Sequence, residues 1–177
     1  MQLQTKPRTR YYWSVTVRTD ADEEATSEPN YFETAKQEEP WIAKWITCDN
    51  AEPRHPIFCK TLPYSDIAAA RLYICGLGLY EATLNGEKIG NEYLTPYCNN
   101  YNRWLQYQTY DITTALQKGG DLQITLGNGW YRGRFGFQRG EKLYYGTGWL
   151  LLAEVHITHT DGSEEIIGTD ESWQVRR

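Results

Sequence analysis

A chain of 177 residues can hold one domain with a full core, or one domain and a fragment of another, and excludes two complete large domains. With 40% hydrophobic and 23% charged residues it reads as globular rather than disordered. A formal net charge of -5 without any dense Lys/Arg cluster removes the electrostatic basis for binding nucleic acid or an anionic membrane, and no apolar run reaches the ~18 residues of a membrane span.

Met1 to Arg10 lacks the apolar centre of a signal peptide, which leaves the compartment open among periplasm, exterior and cytoplasm. Residues Tyr11 to Arg18 alternate, with Tyr11, Trp13, Val15 and Val17 on one side and Tyr12, Ser14, Thr16 and Arg18 on the other, the period of a half-buried strand. The acidic stretch Asp20 to Glu28 reads as a loop and Pro29 to Thr34 as a second strand. Two strands cannot hold a core, so residues 1–36 are expected to be the remnant of a preceding immunoglobulin-like β domain. Their unpaired edges and Trp13 predict dimerisation through this segment.

Residues 37–40, ending in Pro40, read as a linker, and a second domain is expected over 41–177. Its predicted strands are Trp45 to Thr47, Ile57 to Leu62, Ala69 to Cys75, Leu79 to Leu84, Tyr107 to Tyr110, Leu122 to Leu126, Leu150 to His159, Glu164 to Gly168 and Trp173 to Val175. Asn85-Gly86 and Asp161-Gly162 predict type I′ hairpin turns, which need positive φ at both central positions. A single helical turn is expected over Ile112 to Lys118, closed by Gly119-Gly120. Many strands and almost no helix argue for an all-β antiparallel sandwich, jelly-roll-like or immunoglobulin-like. The segment Gly127 to Gly148, with seven glycines among aromatic and basic residues, reads as a long surface loop or pair of loops.

The residues themselves carry no catalytic set. Gly76-Leu77-Gly78 and Gly127-Asn128-Gly129 precede no long helix that could receive a phosphate, and strand ends account for them. His156 and His159 lie three apart on a strand, on opposite faces, and His55 sits between two segments ending and starting in proline. The pairs Glu23-Glu24, Glu38-Glu39 and Glu164-Glu165 are adjacent rather than facing, which is not the geometry of glycoside hydrolysis. Cys48, Cys59, Cys75 and Cys98 show no metal or redox spacing and read as free thiols, with one disulfide possible only in an oxidising compartment. Trp130, Tyr131 and Arg132 with Phe135, Phe137, Tyr144, Tyr145 and Trp149 exceed what a loop needs. They either cap the sandwich or dock on a neighbour, or they offer sugar-contact faces, aromatic rings for apolar ring faces and polar tips for hydroxyls.

The run Ala70 to Gly90, RLYICGLGLYEATLNGEKIG after its alanine, continues through Leu94-Thr95-Pro96, Tyr107 to Thr113 and Leu126 to Tyr131. These blocks, in this order, resemble the N-terminal β-sandwich of bacterial α-L-rhamnosidases, glycoside hydrolase family 78, over Trp41 to Arg177. Tyr12 to Val17, with Ser27 to Pro29 and Phe32 to Thr34, resembles the last strands of the fibronectin-type domain that comes before it. The resemblance implies a parent enzyme that removes terminal rhamnose by inversion, using two acidic residues in an (α/α)6 barrel that would follow Arg177. This chain would be its non-catalytic scaffold, requiring no cofactor. Relatives with a similar sandwich bind L-rhamnose through calcium, which would place metal ligands at Asn99 and Asn100 and sugar contacts at Asn99, Asn100, Trp130 and Arg132. Asn99 stands where an acidic residue is more usual, which weakens a calcium site.

Overall fold

The computed structural model describes residues 4–49, 55–133 and 145–176, so Phe135, Phe137 and Tyr144 lie outside the described residues. The chain divides into two compact units, Met1–Trp41 and Ile42–Arg177.

The first unit is a long bent hairpin. β1 (Arg10–Trp13) pairs antiparallel with β4 (Asn30–Glu33), and β2 (Thr16–Arg18) with β3 (Glu24–Thr26). The single strand expected over 11–18 is therefore split at Ser14-Val15. The expected loop over 20–28 contains a strand, because Arg18 finds Glu24 at 2.9 Å and Thr16 finds Thr26 at 2.8 Å across the turn. Cross-strand pairs of this kind hold a polar stretch that alternation alone does not mark as a strand.

The second unit is an antiparallel β-sandwich. One sheet has five strands in the order β13-β5-β10-β7-β8, and the other four in the order β12-β11-β6-β9. The members are β5 (Ile57–Thr61), β6 (Ile67–Leu77), β7 (Leu79–Leu84), β8 (Glu87–Lys88), β9 (Gln108–Asp111), β10 (Asp121–Gly127), β11 (Leu150–His159), β12 (Glu164–Gly168) and β13 (Gln174–Arg176). Alternation aims Leu122, Ile124, Leu126, Phe58 and Ala82 from one sheet against Leu72, Ile74, Leu151, Val155 and Ile157 from the other, and all of these are buried. The helix α1 is one turn, Thr113–Leu116, and its Leu116 plugs the end of the core.

Two sequence expectations change here. Trp45 to Thr47 forms no strand; only Ile46 bridges Leu151, because the segment 42–46 runs along the sheet as a strap, with Lys44 N–H donating to the Thr169 carbonyl at 2.8 Å. The turn at Asp161-Gly162 is not type I′, since only Gly162 has positive φ, at 84°. His159 and Ser163 close around three residues, and Ser163 hydroxyl and N–H both donate to the Asp161 carboxylate at 2.7 and 2.9 Å, which fixes Asp161 in an Asx turn. Asn85-Gly86 does have positive φ at both residues, 55° and 82°.

The four cysteines are free. Burial pushes the Cys75 thiol up to about 12 and raises Cys59 and Cys48 as well, while Cys98 is exposed. Since the thiolate is the nucleophile, Cys98 is expected to react first with a maleimide at neutral pH and Cys75 only after unfolding. Peptide mapping of briefly labelled native protein checks the order, and labelling of Cys75 as fast as Cys98 would contradict the buried placement.

Candidate functional site

The residues singled out for sugar contact gather at one end of the sandwich, where the β6–β7 turn, the 89–107 loop and the segment after β10 meet. The 89–107 loop is pinned to β7: Tyr80 N–H donates to the Thr95 carbonyl at 2.8 Å, and the buried Thr95 hydroxyl returns a bond to the Tyr80 carbonyl at 3.1 Å. Asn99 is 3% exposed, its side-chain oxygen accepting the Gln106 N–H at 2.9 Å and its amide donating to the Pro96 carbonyl at 3.4 Å. It therefore ties the loop to itself. Asn100 is exposed, and its backbone carbonyl closes a turn by accepting from Arg103 and Trp104.

Tyr101 carries the contact between the loops. Its ring lies 5.2 Å from that of Tyr131 and 4.9 Å from that of Tyr145. Its hydroxyl is buried without a hydrogen-bond partner, and burial raises its pKa against a smaller opposing influence of the Asn99 amide. One residue on, the Arg132 guanidinium stacks on Trp149 at 3.6 Å, a cation–π contact. Its Nε and Nη1 are buried without acceptors, as is the indole Nε1 of Trp149. Burial lowers the Arg132 pKa, and the Cys48 thiol lies close enough to feel its charge. Trp130 is half-buried beside this cluster in sequence, and no ring partner is recorded for it. The structure thus brings Asn99, Asn100, Tyr101 and Arg132 to one end, with Tyr101 rather than either asparagine making the bridge.

A calcium ion fits these residues poorly. The Asn99 side-chain oxygen is closed off and already accepts a hydrogen bond, both candidate ligands are neutral, and hard cations prefer carboxylates. Among the described residues no group of three His, Cys, Asp or Glu side chains is placed to hold a metal.

Sequence reasoning missed a second polar centre. Glu154, in the middle of β11, is fully buried. One of its carboxylate oxygens accepts the N–H groups of Ile42 and Ala43, the latter at 3.0 Å, and the other meets His156 Nε2 at 2.9 Å. The His156 ring stands edge-on to Tyr73 at 5.0 Å. The missed signal was alternation: Leu152, Glu154 and His156 share the face opposite Leu151, Ala153 and Val155, so a carboxylate and an imidazole at i and i+2 meet on it. His159 instead meets Glu165 at 3.3 Å, so the two histidines do not converge.

Comparison with known proteins places these features. A family model described as the α-L-rhamnosidase N-terminal domain matches residues 65–177, and one described as a Rha78A-like N-terminal immunoglobulin domain matches residues 2–38. An α-L-rhamnosidase of Formosa agariphila is 33% identical over 96% of this chain and 21% of its own length. The solved α-L-rhamnosidase of Dictyoglumus thermophilum superposes with a TM-score of 0.82 at 32% identity, over 98% of this chain and 21% of that one. The α-L-rhamnosidase of Streptomyces avermitilis, solved with L-rhamnose, gives a TM-score of 0.61 at 34% identity, over 70% of this chain and 12% of that one. The chain therefore spans about a fifth or less of the length of these relatives. With the sandwich matched strand for strand and the leading hairpin matched by its own model, the chain belongs to the α-L-rhamnosidase N-terminal domain family.

Proposed function

We propose that this chain is the non-catalytic N-terminal scaffold of an α-L-rhamnosidase, with the rhamnoside-cleaving carboxylates in an (α/α)6 barrel elsewhere in a longer polypeptide. The observation that carries the reading is proportion. Nearly the whole chain corresponds to only 21% of a relative named for the activity, and that fifth is matched as its N-terminal domain. The sandwich suits a scaffold because its four-stranded sheet is buried on both faces at Tyr73, Cys75, Leu152 and Glu154, which makes it a rigid base. Incubating the purified chain with an aryl α-L-rhamnoside is expected to release no aglycone above the uncatalysed rate. Turnover that co-purifies with the protein and is lost on heat denaturation would overturn the reading.

A second reading, an L-rhamnose-binding module, is favoured by the unsatisfied donors of Arg132 and Tyr101 beside the Tyr131 and Tyr145 rings. A sugar offers hydroxyl acceptors and an apolar face in the same ligand, which answers both needs. In this reading Arg132 and Tyr101 donate to the sugar, Asn100 contributes from the rim, and Asn99 acts by holding the loop. Calorimetric titration with L-rhamnose, with calcium and then with a chelator, is expected to show weak binding that the chelator leaves unchanged. Absence of saturable heat at millimolar sugar would reject the module reading while leaving the scaffold reading intact.

A further inference from the structure

The leading hairpin is two-faced, and only one face is satisfied. On the first face, Arg10 binds Glu33 at 3.1 Å and lies 4.4 Å above the Tyr31 ring, Tyr31 meets Tyr12 at 6.1 Å, Thr16 bonds Thr26 and Arg18 pairs with Glu24. Every charged side chain of β1 to β4 is in this ladder. On the second face Tyr11 stacks on Phe32 at 5.4 Å, and Trp13, Val15 and Val17 follow Tyr11 at every second residue of the outgoing strand. The residue by which the return strand is longer falls within Ser27 to Pro29, since Trp13 pairs with Asn30 and Thr16 with Thr26, so the outgoing strand keeps its alternation. Trp13, Val15, Val17 and Phe32 remain 42 to 57% exposed. Among the described residues of this unit no hydrophobic side chain is buried.

We propose that this apolar face packs on the same face of a second copy of the chain, sheet on sheet across a two-fold axis. The stripe carries no charge that packing would have to desolvate, because the ionic residues have all been drawn to the opposite face. Immunoglobulin architecture is two sheets about 10 Å apart with apolar inner faces, and one hairpin supplies one such sheet. A copy offers the required complement in full: a stripe of the same length, equally apolar, related by an isologous contact that buries Trp13 of each protomer. Nine residues at about 3.3 Å give a face roughly 30 Å long and two strands wide, which places the dimer at the small, reversible end of protein interfaces.

Sedimentation velocity on the full chain, from about 1 to 100 µM to bracket an interface of this size, is the test. The weight-average mass is expected to rise toward twice the monomer's. Trp13→Lys and Val17→Lys, the latter at an exposed position beside only Ala25, are expected to remain monomeric throughout. Tyr12→Lys is the discriminating control: Tyr12 is 70% exposed against 47% for Trp13, yet it lies on the ion-paired face. It should dimerise within about twofold of the unmodified chain, the scatter of a surface substitution. A chain that stays monomeric across the range overturns the proposal and assigns the face to strands of a longer polypeptide. Loss of dimer in Tyr12→Lys equal to that in Trp13→Lys also overturns it, since general stickiness would then explain association.

Discussion

Glu154→Ala is expected to destabilise the sandwich by about 3 kcal/mol, because the carboxylate is the sole recorded acceptor for two buried backbone donors and the partner of His156. Burying a carboxylate is costly in itself, and deleting it recovers that cost. What decides the sign is the debris: the Ile42 and Ala43 N–H groups lose their acceptor at the point where the strap enters the sheet, and the His156 imidazole loses its partner in an apolar setting. Bonds to a charged acceptor contribute about 1.5–3 kcal/mol each, so the loss outweighs the relief. For a unit of this size the thermal midpoint should fall by roughly 10 °C. His156→Ala removes one bond and leaves the two backbone donors satisfied, so its effect should be about 1 kcal/mol. Urea unfolding of both variants separates these outcomes. Equal effects would mean that the strap is held by Ile46 and Lys44 alone, and Glu154 would then be a passenger.

The strand pattern was legible in the sequence wherever one face meets the core. β7, β11 and β12 lie where alternation and long apolar runs put them, because the physical cause of the pattern, one face against the opposite sheet, is also what builds the strand. The errors fall where another force decides. β3 is polar on both sides and exists through Arg18–Glu24 and Thr16–Thr26. The Trp45 to Thr47 strap owes its place to Glu154, over a hundred residues away, and no local window contains that information. At the candidate site, the convergence of the 99–101 segment with Arg132 follows from both loops leaving the same end of rigid strands. The aromatic bridge through Tyr101 was not legible, since Asn99, read as a ligand, is spent on closing its own loop. A buried amide and an exposed one are identical letters.

Gly78→Ala should be the most damaging single methyl that can be added to this chain, and its cause is the close approach of two glycine pairs that look like phosphate cradles in the sequence. Gly78 has φ of 115°, and a Cβ there would lie 2.2 Å from the Gly127 carbonyl oxygen and 3.0 Å from that of Asn128. Neither neighbour can rotate away, because both are backbone, and Gly127 is held in register with Leu79 by the β10–β7 ladder. Gly129 completes the contact, its own hypothetical Cβ lying 2.8 Å from the Gly78 carbonyl carbon. The glycines are each other's reason. Strain at such a φ costs about 1–3 kcal/mol, and the displaced strand ends bring the total to roughly 3–5 kcal/mol. Gly86→Ala isolates the conformational part: its φ is 82°, but nothing lies within 4 Å of the added carbon, so about 1–2 kcal/mol is expected. The two variants also differ in reach. Gly86 sits at the far end of β7, whereas pushing Gly127 and Asn128 aside moves the segment whose Asn128 carbonyl anchors the Arg132 N–H at 3.0 Å. Gly78→Ala should therefore alter the near-ultraviolet circular dichroism of Trp149 and Tyr131 in the folded protein below its unfolding transition, and Gly86→Ala should leave it unchanged. Equal destabilisation by the two, with unchanged aromatic spectra in both, would show that the sandwich end yields to the methyl and that the glycine contact does not position the loop.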